Sequence, residues 1–360
     1  MRLPRWAGRL ANIGGRLAVA AILLGIILTR VDIRQVGTTL VRISPPLACA
    51  AAGVMLLVAL VAALRWLVLL RALRVPVAVS TVIRLTYIAV TWNLALPGGE
   101  SGNLVKAALL ARQRKGMAGA VWASMLVDQI TLVAAELLVA LLMLALAQHP
   151  PPALMTWLGI IGAGMGAVLL VYGAFLLPIA PKRIDGFVAR LSRLLAAPRW
   201  LRRFVMGAES VSEQQESELV DAEAPQHAPG EWLAPLWLGL TRYRGHIRGL
   251  LGAVVLAMIY YGTIYSAYWL AARGLSIPFA YPDIAWITAL AGIIALLPIT
   301  IAGAGVREGV IIYLLQQRDI PYSQATAFSL AVLALNIVLG IPGIFAQIIR
   351  GRYSNTSQPA

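Results

Sequence analysis

The sequence predicts an all-α polytopic membrane protein, with about six full spans and two re-entrant or broken helical hairpins in an inverted repeat. Three observations carry that expectation. Of 360 residues, 60% are hydrophobic and only 12% charged, where a soluble chain carries about 25% charged residues. Apolar runs of about 20 residues, the length that crosses a bilayer, recur along the chain. Two further apolar stretches are interrupted by proline and glycine at matching places.

Taken in order, the runs 12–29, 47–70, 118–147, 153–180, 249–272 and 323–349 are long enough to span. The first follows Arg2, Arg5, Arg9 and Arg16, as the core of a signal peptide would. Thr29-Arg30-Val31-Asp32 beyond it offers no small-residue cleavage site, so a retained span is expected. The interrupted stretches are 82–115 and 284–318. The first breaks at Pro97, Gly98 and Gly99, the second at Pro298, Gly303 and Gly305, and each then resumes as a short helix. Twelve helical residues rise about 18 Å, half a bilayer. Such a segment is either a re-entrant hairpin, whose irregular tip lines a protein or water cavity, or a proline-kinked full span.

Charge sets the sidedness. The formal net charge is +15, and the basic residues cluster at the ends of apolar runs, where they mark the cytoplasmic side. Segments 148–152 and 274–282 lack Lys and Arg and read as outside, whereas Lys182, Arg183, Arg190, Arg193, Arg199, Arg202 and Arg203 read as inside. Both termini then fall inside a multi-pass protein of the cytoplasmic (inner) membrane, with Arg30, Arg34 and Arg42 the dissenting group. This placement leaves no basic face for nucleic acid. One cysteine, Cys49, and three scattered histidines give no disulfide or metal cluster, so neither a metal nor another cofactor is expected.

The domain reading follows. Residues 1–181 form a first membrane half with its hairpin at 82–115, and 182–206 a basic amphipathic helix on the cytoplasmic surface. Residues 207–231 form an acidic disordered linker, 232–350 a second half with its hairpin at 284–318, and 351–360 a disordered tail. The halves correspond in pattern: Ala120, Ser124 and Val127 recur at one offset as Ala325, Ser329 and Val332, and Leu109-Leu110 as Leu314-Leu315. By the charge count the two hairpins enter from opposite sides, the arrangement of transporters whose site lies between broken helices.

Eight acids lie outside the stretch 209–231, and four of them, Glu100, Asp128, Glu136 and Glu308, sit in apolar surroundings. A buried charge costs at least about 2.5–3.5 kcal/mol, so each should have a partner or line a cavity. Glu100 and Glu308 fall at the hairpin tips, where they either cap a half-helix or act at a site. Arg307, at a helix start, opposes the macrodipole and is poorly explained by helix stability, so it and Lys106 are candidates to hold a lipid phosphate. Asp128 and Glu136 are two turns apart and could pair with Arg307, Arg84 or Arg65. Asn93 and Asn336 serve either helix packing or a ligand. The aromatic stretch Tyr260-Tyr261 to Tyr268-Trp269 reads as packing or interface.

Two strings carry a resemblance. Asn93-Leu-Ala-Leu-Pro97-Gly-Gly-Glu100-Ser-Gly-Asn103-Leu-Val-Lys106 and Leu297-Pro298-Ile-Thr-Ile-Ala-Gly303-Ala-Gly305-Val306-Arg307-Glu308-Gly309, with Asp128-Gln129, resemble the signatures of the lysylphosphatidylglycerol synthase transmembrane region, or flippase-like domain family. The resemblance covers about residues 15–350. Two positions depart from it: Asn103, where the family often has arginine, and Gln129, where an arginine often follows the acid. The bifunctional synthases add an aminoacyl-transferase domain, and with ten residues after the last span lysyl transfer is not expected here.

What the resemblance implies is a translocator that moves an anionic or zwitterionic lipid headgroup across the membrane, the tail staying in lipid. Its substrate-binding residues would be Arg307, Glu308, Glu100, Lys106, Asn93, Asp128, Glu136 and Asn336, acting on a phospholipid or polyprenyl-linked lipid. No Walker loop, HExxH or GxSxG is present, and no catalytic role is expected. The alternative is a non-transporting accessory subunit that presents lipid to a separate glycosyl- or aminoacyl-transferase. Such a lipid-modifying enzyme and a second copy of the chain are the protein partners this reading admits.

Overall fold

The computed structural model describes residues 38, 43–95, 101–114, 116–148, 154–176, 242–295 and 305–355. The expected span 12–29, the break residues Pro97, Gly98, Gly99, Pro298 and Gly303, the acid Glu100, and the segments 182–206 and 207–231 lie outside them. Nine α-helices are described: α1 (Pro45–Ala72), α2 (Val79–Ala95), α3 (Ser101–Gln113), α4 (Ala118–Ala145), α5 (Leu154–Leu176), α6 (Ile247–Gly274), α7 (Tyr281–Ala295), α8 (Val306–Gln316) and α9 (Tyr322–Asn355). A single 3-10 turn, Arg242–Gly245, precedes α6.

Among the described residues, four helices are long and apolar enough to cross a membrane: Pro45–Ala72, Ala118–Ala145, Ile247–Gly274 and, within α9, Tyr322–Gln347. They fall on four of the six expected spans, and α5 falls on a fifth. Prolines at the first two positions of α1 start that helix without losing a hydrogen bond, since the opening N–H groups have no intrahelical acceptor. α9 runs on to Asn355 past the internal Pro342, so its last turn covers part of the segment expected as a tail.

Each interrupted stretch resolves into a pair of short helices. α2 and α3 do not continue one another along an axis, because Gly102 near the start of α3 lies directly on the Ala89 carbonyl of α2. In an unbroken helix those residues would be about 20 Å apart. The chain therefore doubles back, and only a residue without a Cβ fits at the contact. The Asn93 side-chain oxygen accepts from the Gly102 N–H at 2.6 Å and ties the two helices at the turn. α8 begins at Gly305, whose φ of 85° is open to glycine at no steric cost.

Packing relates two sets of four helices. Every pairing among α1–α4 has its counterpart among α6–α9: α1–α2 with α6–α7, α2–α3 with α7–α8, α3–α4 with α8–α9, α1–α4 with α6–α9. The cross-set contacts obey the same exchange, α2–α9 answering α7–α4 and α1–α9 answering α6–α4, with α1 against α6 at the centre. α1 and α6 are antiparallel. The start of α6 lies on the end of α1 (Gly249 on Ala72, Gly252 on Val68), and Ser44 N donates to the Gly274 carbonyl at 3.1 Å. α2 and α9 are antiparallel as well, Gly343 seating against Tyr87 and Thr91, and Gly340 against Leu94.

The turn after α1 repeats after α6. Leu73-Arg74-Val75-Pro76-Val77-Ala78 answers Leu275-Ser276-Ile277-Pro278-Phe279-Ala280, 202 residues later. Arg74 (φ 56°) and Ser276 (φ 59°) both take the left-handed conformation. Val75 N donates to Leu70 O and Ile277 N to Ala272 O, both at 3.0 Å. These are the bonds by which a left-handed residue closes a helix end. This Leu-x-(Val/Ile)-Pro-x-Ala pair is a clearer mark of duplication than the pattern in the long spans, and it is readable in the sequence.

Candidate functional site

The apolar core divides in two. One part gathers Ala63, Trp66, Leu70, Leu85, Leu110 and Val121 of the first set with Leu250 and Ala253 of α6, and the other joins Met55 of α1 and Leu132 of α4 to Tyr265, Trp286, Ile311, Phe328 and Val332 of the second. Polar groups within such helices need either one another or a cavity, and this molecule uses both solutions.

Asp128 on α4 takes the first. It is fully buried, and its Oδ1 accepts from Arg65 Nε at 2.6 Å and its Oδ2 from Arg65 Nη2 at 3.2 Å. Lys106 Nζ lies 3.3 Å from the same Oδ2. Arg65 and Lys106 are 2% and 1% exposed. Aromatic faces complete the cluster. The Lys106 ammonium lies 4.7 Å from the Trp66 ring centroid and the Arg65 guanidinium 5.1 Å from that of Tyr260, contacts worth more when water is absent. Trp66 is held by its indole N–H donating to Ser124 Oγ at 3.1 Å. Beside the cluster, Asn103 Nδ2 donates to Gln129 Oε1 at 3.1 Å.

Glu136 takes the second. It is two turns further along α4 and rotated by about 80° from Asp128, which turns it to a cavity of about 410 Å³ bounded by α4, α6, α7, α8 and α9. Around that cavity stand Gln129 and Glu136 of α4, Tyr260, Tyr261, Tyr265 and Tyr268 of α6, Thr288 and Gly292 of α7, Arg307 of α8 and Asn336 of α9. Tyr261 donates to Glu136 Oε2 at 3.2 Å. The carboxylate sits against Gly292, in the space a Cβ would occupy. Asn336 Nδ2 lies 3.0 Å from the Tyr268 hydroxyl and donates to Val332 O at 2.8 Å. The Tyr265 hydroxyl is buried without a hydrogen-bond partner among the described residues.

The candidates from sequence thus separate into three places. Arg307, Glu136 and Asn336 meet at the cavity, while Asp128 and Lys106 join Arg65 in the ion cluster. Glu308 stands beside Arg307 in sequence but turns back on its own helix: its Oε2 accepts from the Gly305 N–H at 2.6 Å at the start of α8. Its Oε1 is buried without a hydrogen-bond partner among the described residues. Asn93 serves the α2–α3 turn, and Arg84 is exposed on α2. Glu100 lies outside the described residues.

Sequence reasoning gave the tyrosines a packing role, and the structure gives them two. Tyr261 and Tyr265 stack at 5.8 Å between ring centroids, and both line the cavity. The usable signal was their spacing, since Tyr261, Tyr265 and Tyr268 at i, i+4 and i+7 share one helix face. Gln129 was read only as a departure from a motif, and it lies between cavity and ion cluster.

A family model described as Lysylphosphatidylglycerol synthase TM region matches residues 14–343. No curated protein matches the chain, and no solved structure does.

Proposed function

The chain belongs to the lysylphosphatidylglycerol synthase TM region family, and from that premise we propose that it translocates the anionic or zwitterionic headgroup of a membrane lipid. The headgroup passes through the cavity bounded by α4 and α6–α9, and the acyl or isoprenoid tail stays in lipid. In this reading the α2–α3 and α7–α8 pairs are re-entrant hairpins of an inverted repeat, with six full spans and both termini on the cytoplasmic side of the inner membrane. The process makes and breaks no covalent bond, so no catalytic residue is assigned.

The observation that carries the reading is the lining of the cavity. A carboxylate, a guanidinium, two amides and four phenols meet within helices otherwise built to be apolar. Each charge there costs at least about 2.5–3.5 kcal/mol to place at bilayer depth, a cost that a charged ligand offsets. The volume falls within the range of about 300–1,000 Å³ usual for small-molecule sites, enough for a headgroup without its tails. Arg307 binds the phosphate, for which a guanidinium on the first turn of a helix is suited by its paired N–H donors and the helix N-terminus. Glu136 and the phenols receive ammonium or hydroxyl groups of the headgroup.

Reconstitution tests this. Liposomes containing the purified protein and fluorescent phospholipids or polyprenyl lipids are treated with an impermeant quencher of the outer leaflet. The expected result is faster exposure of inner-leaflet headgroups than in empty liposomes, lost in Arg307→Ala. If no lipid is accelerated while Arg307→Ala still impairs a lipid-modifying pathway in cells, the accessory-subunit reading replaces translocation.

A further inference from the structure

The exchange that relates the two helix sets assigns each cavity position on α6–α9 a counterpart in the first set. α1 and α6 correspond at a separation of 202 residues, set by the repeated turn. α3 and α8, like α4 and α9, correspond at 205, set by Leu109-Leu110 with Leu314-Leu315 and by Ser124 with Ser329. The cavity residues Tyr268, Ile311 and Asn336 then answer to Trp66, Lys106 and Thr131, and Thr288 answers to Thr86. Both threonines donate to the carbonyl four residues back, at 2.7 and 2.9 Å, which checks the register.

Of the ion cluster, Lys106 stands on such a counterpart, while Arg65 and Asp128 answer to Ala267 and Leu333, which are not among the residues lining the cavity. On α6 the cavity wall is made by Tyr261 and Tyr265, and the same places on α1 hold the buried Ala59 and Ala63. The first set carries charge instead: Lys106 from the place of Ile311, over the face of Trp66, and Arg65, which shares its carboxylate. Two cations share the Asp128 carboxylate, a formal charge of +1 on three side chains no more than 2% exposed. Arg65 Nη1 is buried without a hydrogen-bond partner among the described residues, so one arm of the guanidinium fork is open to a further acceptor. Tyr260 stands at both places, lining the cavity and lying under the Arg65 guanidinium at 5.1 Å.

We infer that Arg65 and Lys106 form a second anion site, closed in this structure, that takes a phosphate group in place of Asp128. The site extends the proposed translocation by giving the headgroup a second station beside the cavity, across Tyr260, and it rests on that reading. A guanidinium offering Nε, Nη1 and Nη2 with an ammonium alongside matches the oxygens of a phosphate monoester or diester. Asp128 is the internal substitute: it holds both cations while the site is empty and gives them up when a dianionic or diester oxygen set arrives. The phosphate can belong to a lipid headgroup or be free inorganic phosphate.

The test is binding by the full-length protein in maltoside micelles, which contain no phosphate, titrated calorimetrically with dihexanoylphosphatidylglycerol and separately with inorganic phosphate. Wild type is expected to show two classes of site for the lipid. Arg307→Ala removes one class, Lys106→Met weakens the other about tenfold or more, the loss of a charge-assisted bond, and the double variant binds neither. In the Arg307→Ala background, Asp128→Asn tightens the remaining class, because the competing carboxylate charge is gone. Should that variant fail to fold, Lys106→Met, which keeps the Arg65–Asp128 pair, still decides. Binding of inorganic phosphate at the same class identifies free phosphate as a ligand, and binding of the lipid alone identifies a headgroup. A folded Arg307→Ala protein with no residual class, or one whose residual class ignores Lys106→Met, overturns the inference. Persistence of the Lys106-dependent class while Arg307→Ala changes nothing would instead sink the cavity reading.

Discussion

Replacing Asp128 by leucine tests the account of how charge is tolerated inside this protein. The carboxylate receives two bonds from Arg65, at 2.6 and 3.2 Å, and lies 3.3 Å from the Lys106 ammonium. Its removal leaves two cations at a site with at most 2% exposure. Breaking a buried pair by deleting one partner costs about 3–5 kcal/mol, most of it the desolvation of the charge left behind. Removing all charge from such a cluster is near neutral or stabilising, since the desolvation cost disappears as well. Asp128→Leu should therefore lower stability by about 3–5 kcal/mol, and the triple variant with Arg65→Met and Lys106→Met should recover most of it. The assay is unfolding of the purified protein in mixed maltoside–dodecyl sulfate micelles, followed by tryptophan fluorescence. A single variant within about 1 kcal/mol of wild type, the level of an exposed ion pair, would show that water reaches the cluster and refute the reasoning.

The remaining predictions concern contacts and topology. Gly343→Ala should destabilise by about 1–3 kcal/mol in the same assay, because its Cβ would meet the Tyr87 backbone carbonyl, whereas Gly53→Ala, with nothing within 4 Å, should be neutral or slightly stabilising. Gly292→Ala displaces the Glu136 side chain, a flexible neighbour, so it should leave stability nearly intact and slow headgroup exposure in liposomes. Tyr261→Phe removes the phenol's bond to Glu136 Oε2 and should cost about 1 kcal/mol of stability, read by the same unfolding. Cys49 is the single cysteine and is exposed near the start of α1. With both termini inside, an impermeant maleimide should label it in intact cells, and labelling only after permeabilisation would invert the proposed orientation.

The sequence made the long helices legible because each is a run of apolar residues at membrane length, and the breaks legible because proline and glycine interrupt two such runs. It was silent on where Asp128 and Glu136 point. Eight residues of separation allow them one cavity or two, and the choice depends on Arg65, 63 positions away on another helix. Lys106 was read with Arg307 as a phosphate ligand because both are cations near a hairpin tip, but the fold sets them in opposite helix sets. Arg307, Glu136 and Asn336 were readable as cavity residues from polarity alone. The tyrosines were not, since an aromatic row on an apolar helix is ordinary core until its neighbours leave a space.

The antiparallel pairing of α1 and α6 also has an electrical consequence. The two central helices have 28 residues each, so their opposed peptide dipoles, about half an elementary charge at each end, nearly cancel. Tilting the pair within the bilayer moves little net dipole through the membrane field. A transmembrane potential is worth about 2.3 kcal/mol per elementary charge per 100 mV, and the frame gives it little to act on. Any voltage dependence of the protein should then belong to Arg307, Glu136, the Arg65–Lys106–Asp128 cluster and the charge of whatever occupies the cavity.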